Sequence, residues 1–255
     1  MEEEPVDSTA WILDNSLAEF LIMHTTEIKY MCMFGYTFMH GSKVFGSISS
    51  DAPLSYKFVS MILACTGGGI MVPIFINSIP VPLTTDAYPI AIFASFLLHQ
   101  YFPLLREVLK VSYVLKAAVI FLYETLRASV VVKLTAAAAA AIPPSEFSIP
   151  IFGPIFCGTI AGCGGAFLPL NKGLDPIKNG LAPNMMSAMF GGLFYHVFVN
   201  TSLSDGVKNA PKKAHAIVSF MFILFGIIQA FNLRIPGIYS TTTAKPKPKP
   251  ATKKD

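Results

Sequence analysis

Apolar residues occupy this chain in about seven long stretches, near residues 16–40, 53–79, 87–102, 104–134, 148–170, 185–200 and 213–233, with short polar or proline-bearing intervals between them. Most of them approach or exceed the roughly 20 residues with which a helix crosses a hydrocarbon core of about 30 Å. The pattern predicts an all-α membrane protein with seven transmembrane helices. The first stretch carries His24, Glu27 and Lys29, so it is expected to face protein rather than lipid. Pro103 suits the first turn of the fourth helix, Pro143 and Pro144 close it, and Pro211 and Pro236 bound the seventh.

Composition supports the same class. The chain is 53% hydrophobic and only 13% charged, with a mean hydropathy of +0.56. A soluble domain carries about 25% charged residues, and this chain has too few to cover a water-facing surface. The stretch Met1 to Pro5 is acidic and lacks the basic start of a cleavable secretory signal, so the first helix is expected to insert and stay. Cys32, Cys65, Cys157 and Cys163 lie in apolar stretches without metal-ligand spacing and read as small buried residues. No paired catalytic constellation is visible, so neither an enzyme nor a metal cofactor is expected, and nothing points to nucleic acid.

The sequence also repeats itself. Gly68, Gly69 and Pro73 recur at one constant offset as Gly164, Gly165 and Pro169, each trio inside its own apolar stretch, the second and the fifth. Three stretches separate the copies, so the halves would cross in opposite senses, the three-plus-three inverted-repeat plan of many transporters and some channels. The expected organisation is an N-terminal segment 1–15, a first three-helix repeat 16–102, a second 103–205, a seventh helix 206–235, and a disordered lysine- and proline-rich tail 236–255. Gly67, Gly68, Gly69 and Pro73 remove side chains and one backbone donor from mid-helix, as do Gly162, Gly164, Gly165 and Pro169 in the later copy. Such a helix should kink and expose carbonyls. Two readings follow, a permeation path lined by broken helices or close helix packing through small residues.

An odd number of crossings puts the termini on opposite sides. Lys43, Lys57, Arg106, Lys110, Lys172, Lys178, Arg234 and the tail lysines fall on one side with the C-terminus, which the positive-inside rule assigns to the cytosol, with the N-terminus lumenal. Lys212 and Lys213 run against that bias.

Charge is concentrated in the fourth stretch. At 100° per residue Arg106, Lys110, Tyr113, Glu124 and Arg127 fall within about 100° of arc, with Lys116 near its edge. A mid-membrane charge costs about 2.5–3.5 kcal/mol on insertion scales, so this stripe should face the bundle or water. Arg106 and Lys110, one turn apart, read either as interfacial snorkelling or as a basic pocket for an anionic lipid headgroup. Lys116, Glu124 and Arg127 read as ion pairing or as charges serving ion passage or voltage response.

With these residues in view, the sequence resembles the trimeric intracellular cation channels of the endoplasmic and sarcoplasmic reticulum. That family has a triple glycine in the second helix, matched here by Gly67, Gly68 and Gly69. It has a glycine break in the fifth, matched by Gly162, Gly164 and Gly165 with Cys163 interrupting, and a fourth-helix motif K-E-V-x-R-x-x-K. Arg106, Glu107, Val108 and Lys110 match that motif with Arg and Lys exchanged, and Tyr113 stands at its last basic position. The resemblance spans roughly residues 20–232. It implies a homotrimer with a pore in each protomer, potassium as the permeant ion, and a counter-ion current during calcium release, coupled functionally to calcium-release channels. It places the protein in the endoplasmic or sarcoplasmic reticulum membrane, with the nuclear envelope as a further location. It also implies a bound phosphatidylinositol bisphosphate held by Arg106 and Lys110 near Gly68 and Gly69. A secondary transporter built on inverted repeats is the alternative, whereas a seven-helix receptor fits poorly because D-R-Y and N-P-x-x-Y motifs are missing.

Overall fold

The computed structural model describes residues 7–168 and 173–233 of the 255-residue chain, so Pro169 and the tail 236–255 lie outside the described residues. Among these residues the protein is built of nine α-helices with short 3-10 turns and no strand. Two of them are long and apolar enough on their own to cross a membrane, and the chain is a helical membrane protein.

Local caps divide the first expected span. Helix α1 (Ser16–Leu21) starts where the Asn15 side chain accepts from the Ala18 amide at 2.8 Å. It stops at Met23, whose φ of 51° turns the chain. Helix α2 (Thr26–Ser47) then starts behind a Thr25 cap and continues past the expected end near residue 40. Helix α3 (Leu54–Phe75) follows Pro53 and runs unbroken through Gly67, Gly68, Gly69 and Pro73, where a break was expected.

Helices α4 (Ala87–Tyr101) and α5 (Leu104–Val111) meet at 93°. Pro103 excludes the helical conformation at Phe102, which sits at φ −124°, ψ 64°. Ser112 then ends α5 and caps α6 (Tyr113–Ala141) by accepting from the Leu115 amide. The fourth apolar stretch is therefore two helices, and the single stripe expected from Arg106 to Arg127 does not form on one axis. Helix α7 (Phe152–Cys163) gives way to a 3-10 turn over Gly164–Phe167. Helices α8 (Pro183–Asn200) and α9 (Ala210–Ala230) complete the bundle.

Helices α2, α3 and α4 pack on one another, as do α6, α7 and α8, with α9 laid along α6 and α8. The long α6 sits between the two sets and contributes to both principal cores. One core gathers Cys32, Tyr36, Met61, Ile92 and Phe96 around Tyr123 and Leu126. The other gathers Cys157, Ala188, Val218 and Phe222 around Ala128 and Val131. Cys32, Cys65 and Cys157 are buried, Cys163 is half-buried, and all four are free thiols.

Candidate functional site

The glycines of α3 and α7 bring two backbones into direct contact. A Cβ on Gly67 would fall 2.3 Å from the Gly165 nitrogen, and one on Gly68 2.2 Å from the Ala161 oxygen. From the other side, a Cβ on Gly165 would fall 2.4 Å from the Ala64 oxygen, and one on Gly164 2.6 Å from the Gly68 nitrogen. No side chain fits at this crossing. Gly69 differs, since its nearest neighbour is the Val81 side chain at 3.3 Å, and Gly162 faces Ala188 and Val131.

Two cavities meet at the crossing. The first, of about 280 Å³, is lined by Lys29 and Met33 from the N-terminal part of α2, by Gly69, by Thr84 and Thr85, and by Lys133 of α6. The second, of about 470 Å³, is lined by His40, Lys43 and Ser47 from the C-terminal part of α2, by Gly164 and Gly165, and by Asn184 at the start of α8. Their walls have Tyr36, Gly68 and Ala161 in common. Since α2 lends its first half to one cavity and its second half to the other, they approach from opposite ends of the bundle.

Tyr36 is the large side chain at the junction. Its ring stacks on Tyr123 with centroids 5.1 Å apart and meets His40 edge-on at 4.6 Å. Its hydroxyl donates to the Cys65 carbonyl at 3.2 Å, and the Tyr88 hydroxyl donates to the same oxygen at 2.8 Å.

The charged residues singled out in the sequence are placed elsewhere. Arg127 is buried and pairs with Glu124 at 2.5 Å. It also donates to the Asn184 carbonyl at 2.9 Å and to the Ser187 hydroxyl, and lies over the Phe222 ring at 4.4 Å. These contacts tie α6 to α8 and α9. Lys116 donates to the Ala230 carbonyl at 2.7 Å, at the end of α9 where carbonyls lack helical partners. Lys116 and Glu124 also line a side cavity of about 290 Å³ that shares Lys43, Tyr123 and Asn184 with the second cavity.

Arg106 donates to the His99 carbonyl in the last turn of α4 and lies over Phe45. Lys110 pairs with Glu107 at 2.8 Å, both largely exposed. Neither residue lines the two cavities at Gly68 and Gly69, so the four residues expected around one lipid are not gathered around one cavity. Tyr113 is exposed and packs on Phe231 at 5.9 Å. Pro73 is buried within α3.

Sequence reasoning missed the residues that line the cavities from α2. Lys29, Met33, Tyr36, His40, Lys43 and Ser47 recur at helical spacing and share one face within about 80° of arc. That stripe was the available signal.

No family model matches the sequence, and no curated protein matches it. Among solved structures, a trimeric intracellular cation channel from C. elegans, determined in the absence of Ca2+, is similar with a TM-score of 0.64. The two chains are 16% identical, and the match covers 85% of this chain and 96% of that one. A likeness at that identity is one of fold.

Proposed function

We propose that this protein is a monovalent cation channel, selective for potassium, in the membrane of intracellular calcium stores, where it carries counter-ion current during calcium release. The observation that carries the reading is the pair of cavities that approach from opposite ends of the bundle and meet at Tyr36, Gly68 and Ala161. The shared fold with a named cation channel supports it. In this reading α2–α4 and α6–α8 are the two inverted three-helix repeats, α9 is the seventh crossing, and α1 and α5 lie at the membrane boundaries. The protein assembles as a homotrimer with one path per protomer, its N-terminus lumenal and its C-terminus cytosolic. Arg106 and Lys110, on the cytosolic α5, hold phosphatidylinositol bisphosphate from the outer face of the helix pair rather than beside Gly68 and Gly69.

A carrier is the second reading, because a bulky ring between two cavities is also what an alternating-access protein presents. Recording from the purified protein in planar bilayers, with potassium on one side and sodium on the other, tests both. Unitary current steps with a reversal potential displaced toward that of potassium are expected. Substrate flux without unitary steps would replace the channel with a carrier.

A further inference from the structure

The cavity at the N-terminal end of α2 has two exposed lysines on its wall and no carboxylate to pair with them. Lys29 comes from the first turn of α2, and Lys133 from α6, eight residues before its end. Neither ammonium has a hydrogen bond, ion pair or ring partner among the described residues, and no carboxylate lines the cavity. Several other cations of the bundle do find partners within the protein. Lys43 lies over the Tyr123 ring, Lys57 and Lys116 donate to carbonyls, and Arg127 and Lys213 meet carboxylates.

Ser129 adds a second, independent observation. It lies one turn before Lys133 on the same helix, is 1% exposed, lines the same cavity, and its hydroxyl has no hydrogen-bond partner. A buried hydroxyl without a partner is costly unless a ligand or water satisfies it. Thr85, just before α4, adds a further hydroxyl-bearing residue to the same lining. Two lysines and a serine that line one cavity offer a donor set that suits a multiply charged oxyanion.

We infer that this cavity binds a phosphate-type oxyanion between Lys29 and Lys133, with the Ser129 hydroxyl as a third donor. The anion would come from free phosphate or from the headgroup of a phosphatidic acid. If the proposed channel reading holds, the bound anion neutralises the positive charge of this mouth and lets cations enter a vestibule that otherwise repels them. The binding itself does not depend on that reading.

Calorimetric titration of the detergent-solubilised full chain with inorganic phosphate tests the site without any current measurement. Saturable binding is expected in the wild type. K29Q or K133Q should each weaken it about tenfold or more, as loss of one charge-assisted bond implies, and the double variant should abolish it. K29R with K133R keeps both charges and should retain binding, which guards against a trivial folding defect, and S129A should weaken binding a few-fold. Retention of phosphatidic acid over phosphatidylcholine in nanodiscs, lost in K29Q/K133Q, would assign the headgroup as the source where free phosphate fails. Binding to neither ligand, or binding unchanged in the double glutamine variant, overturns the inference. In a parallel bilayer recording, phosphate on the side of the α2 N-terminus should raise wild-type cation conductance and leave K29Q/K133Q unaffected. Intact binding with no current in any variant would overturn the channel reading and leave the site standing.

Discussion

The two glycine-bearing helices respond differently to similar sequences. In α3 the glycines and Pro73 sit inside one continuous helix, whereas α7 loses its helical geometry at Gly164 and tightens into a 3-10 turn. Their surroundings differ as well. The α3 side is held by aromatic stacking and by two phenols that converge on the Cys65 carbonyl. The α7 and α8 side is braced by a buried ion pair, with Arg127 reaching Glu124, Asn184 and Ser187. Helix-breaking residues only lower the cost of a break, by about 1 kcal/mol per glycine. Whether the break occurs depends on what the backbone meets.

Removing the ion pair on the α6–α8 side should have the largest effect. R127M leaves Glu124 buried without a counter-charge, which costs about 3–5 kcal/mol. The combined R127M/E124Q variant removes the stranded charge and should recover much of the lost thermal stability. If the two variants melt alike, the pair is not what braces this side.

Next comes the crossing itself. G68A and G165A each drive a Cβ into a neighbouring backbone oxygen, at 2.2 Å and 2.4 Å. Overpacking of this kind costs about 1–3 kcal/mol, and both variants should lower the melting temperature and the bilayer current together. G69A is the contrast, because its Cβ would meet side chains alone, Val81 at 3.3 Å and Pro82 at 3.9 Å. It gains helix propensity of about 1 kcal/mol, so its stability should be unchanged or higher. A G69A defect as large as that of G68A would mean that the whole glycine run, and not the crossing, is under constraint.

Smaller again is Y36F, which removes one of the two hydrogen bonds on the Cys65 carbonyl and should cost about 1 kcal/mol or less, since Tyr88 still donates there. Y36A removes the ring between the cavities as well. It should raise unitary conductance while Y36F leaves it unchanged, and equal conductance in all three proteins would move the constriction elsewhere.

The smallest effect concerns the N-terminal tether of α9. Hydrogen bonds from Lys213 and then Thr9 lower the Asp7 carboxyl from its usual 3.8 to about 2. A depressed folded value means that the contribution is fully present above the unfolded value and is lost as pH falls toward 2. The melting-temperature difference between wild type and D7N should therefore hold above about pH 4 and close between there and pH 2. A difference constant down to pH 2 would detach Asp7 from the tether.

Much of the local structure was legible. Pro103 and Pro211 mark helix starts, as the sequence pattern expects. The division at Ser112 was nonetheless hidden, because a hydropathy run sums over the apolar residues on both sides and outweighs one hydroxyl. The charges of α6 were visible and ion pairing was among their readings, but their partners on other helices were not legible. The Arg127 bonds to Asn184 and Ser187 and the capping of α9 by Lys116 depend on α8 and α9, which lie far along the chain.

Membrane class, helical content, the placing of the cysteines in apolar segments and the positions without a side chain were readable from the chain alone, because these follow from composition and from periods shorter than one helix. The packed bundle settled that α3 stays whole while α7 breaks. It also decided that α4 and α5 turn by 93°, and that Lys29, Tyr36, Lys43 and Lys133 face two cavities meeting at Gly68. The physical reason is that a helix face acquires its meaning from the helix laid against it. That choice rests on packing between residues far apart in the chain, which no local period encodes.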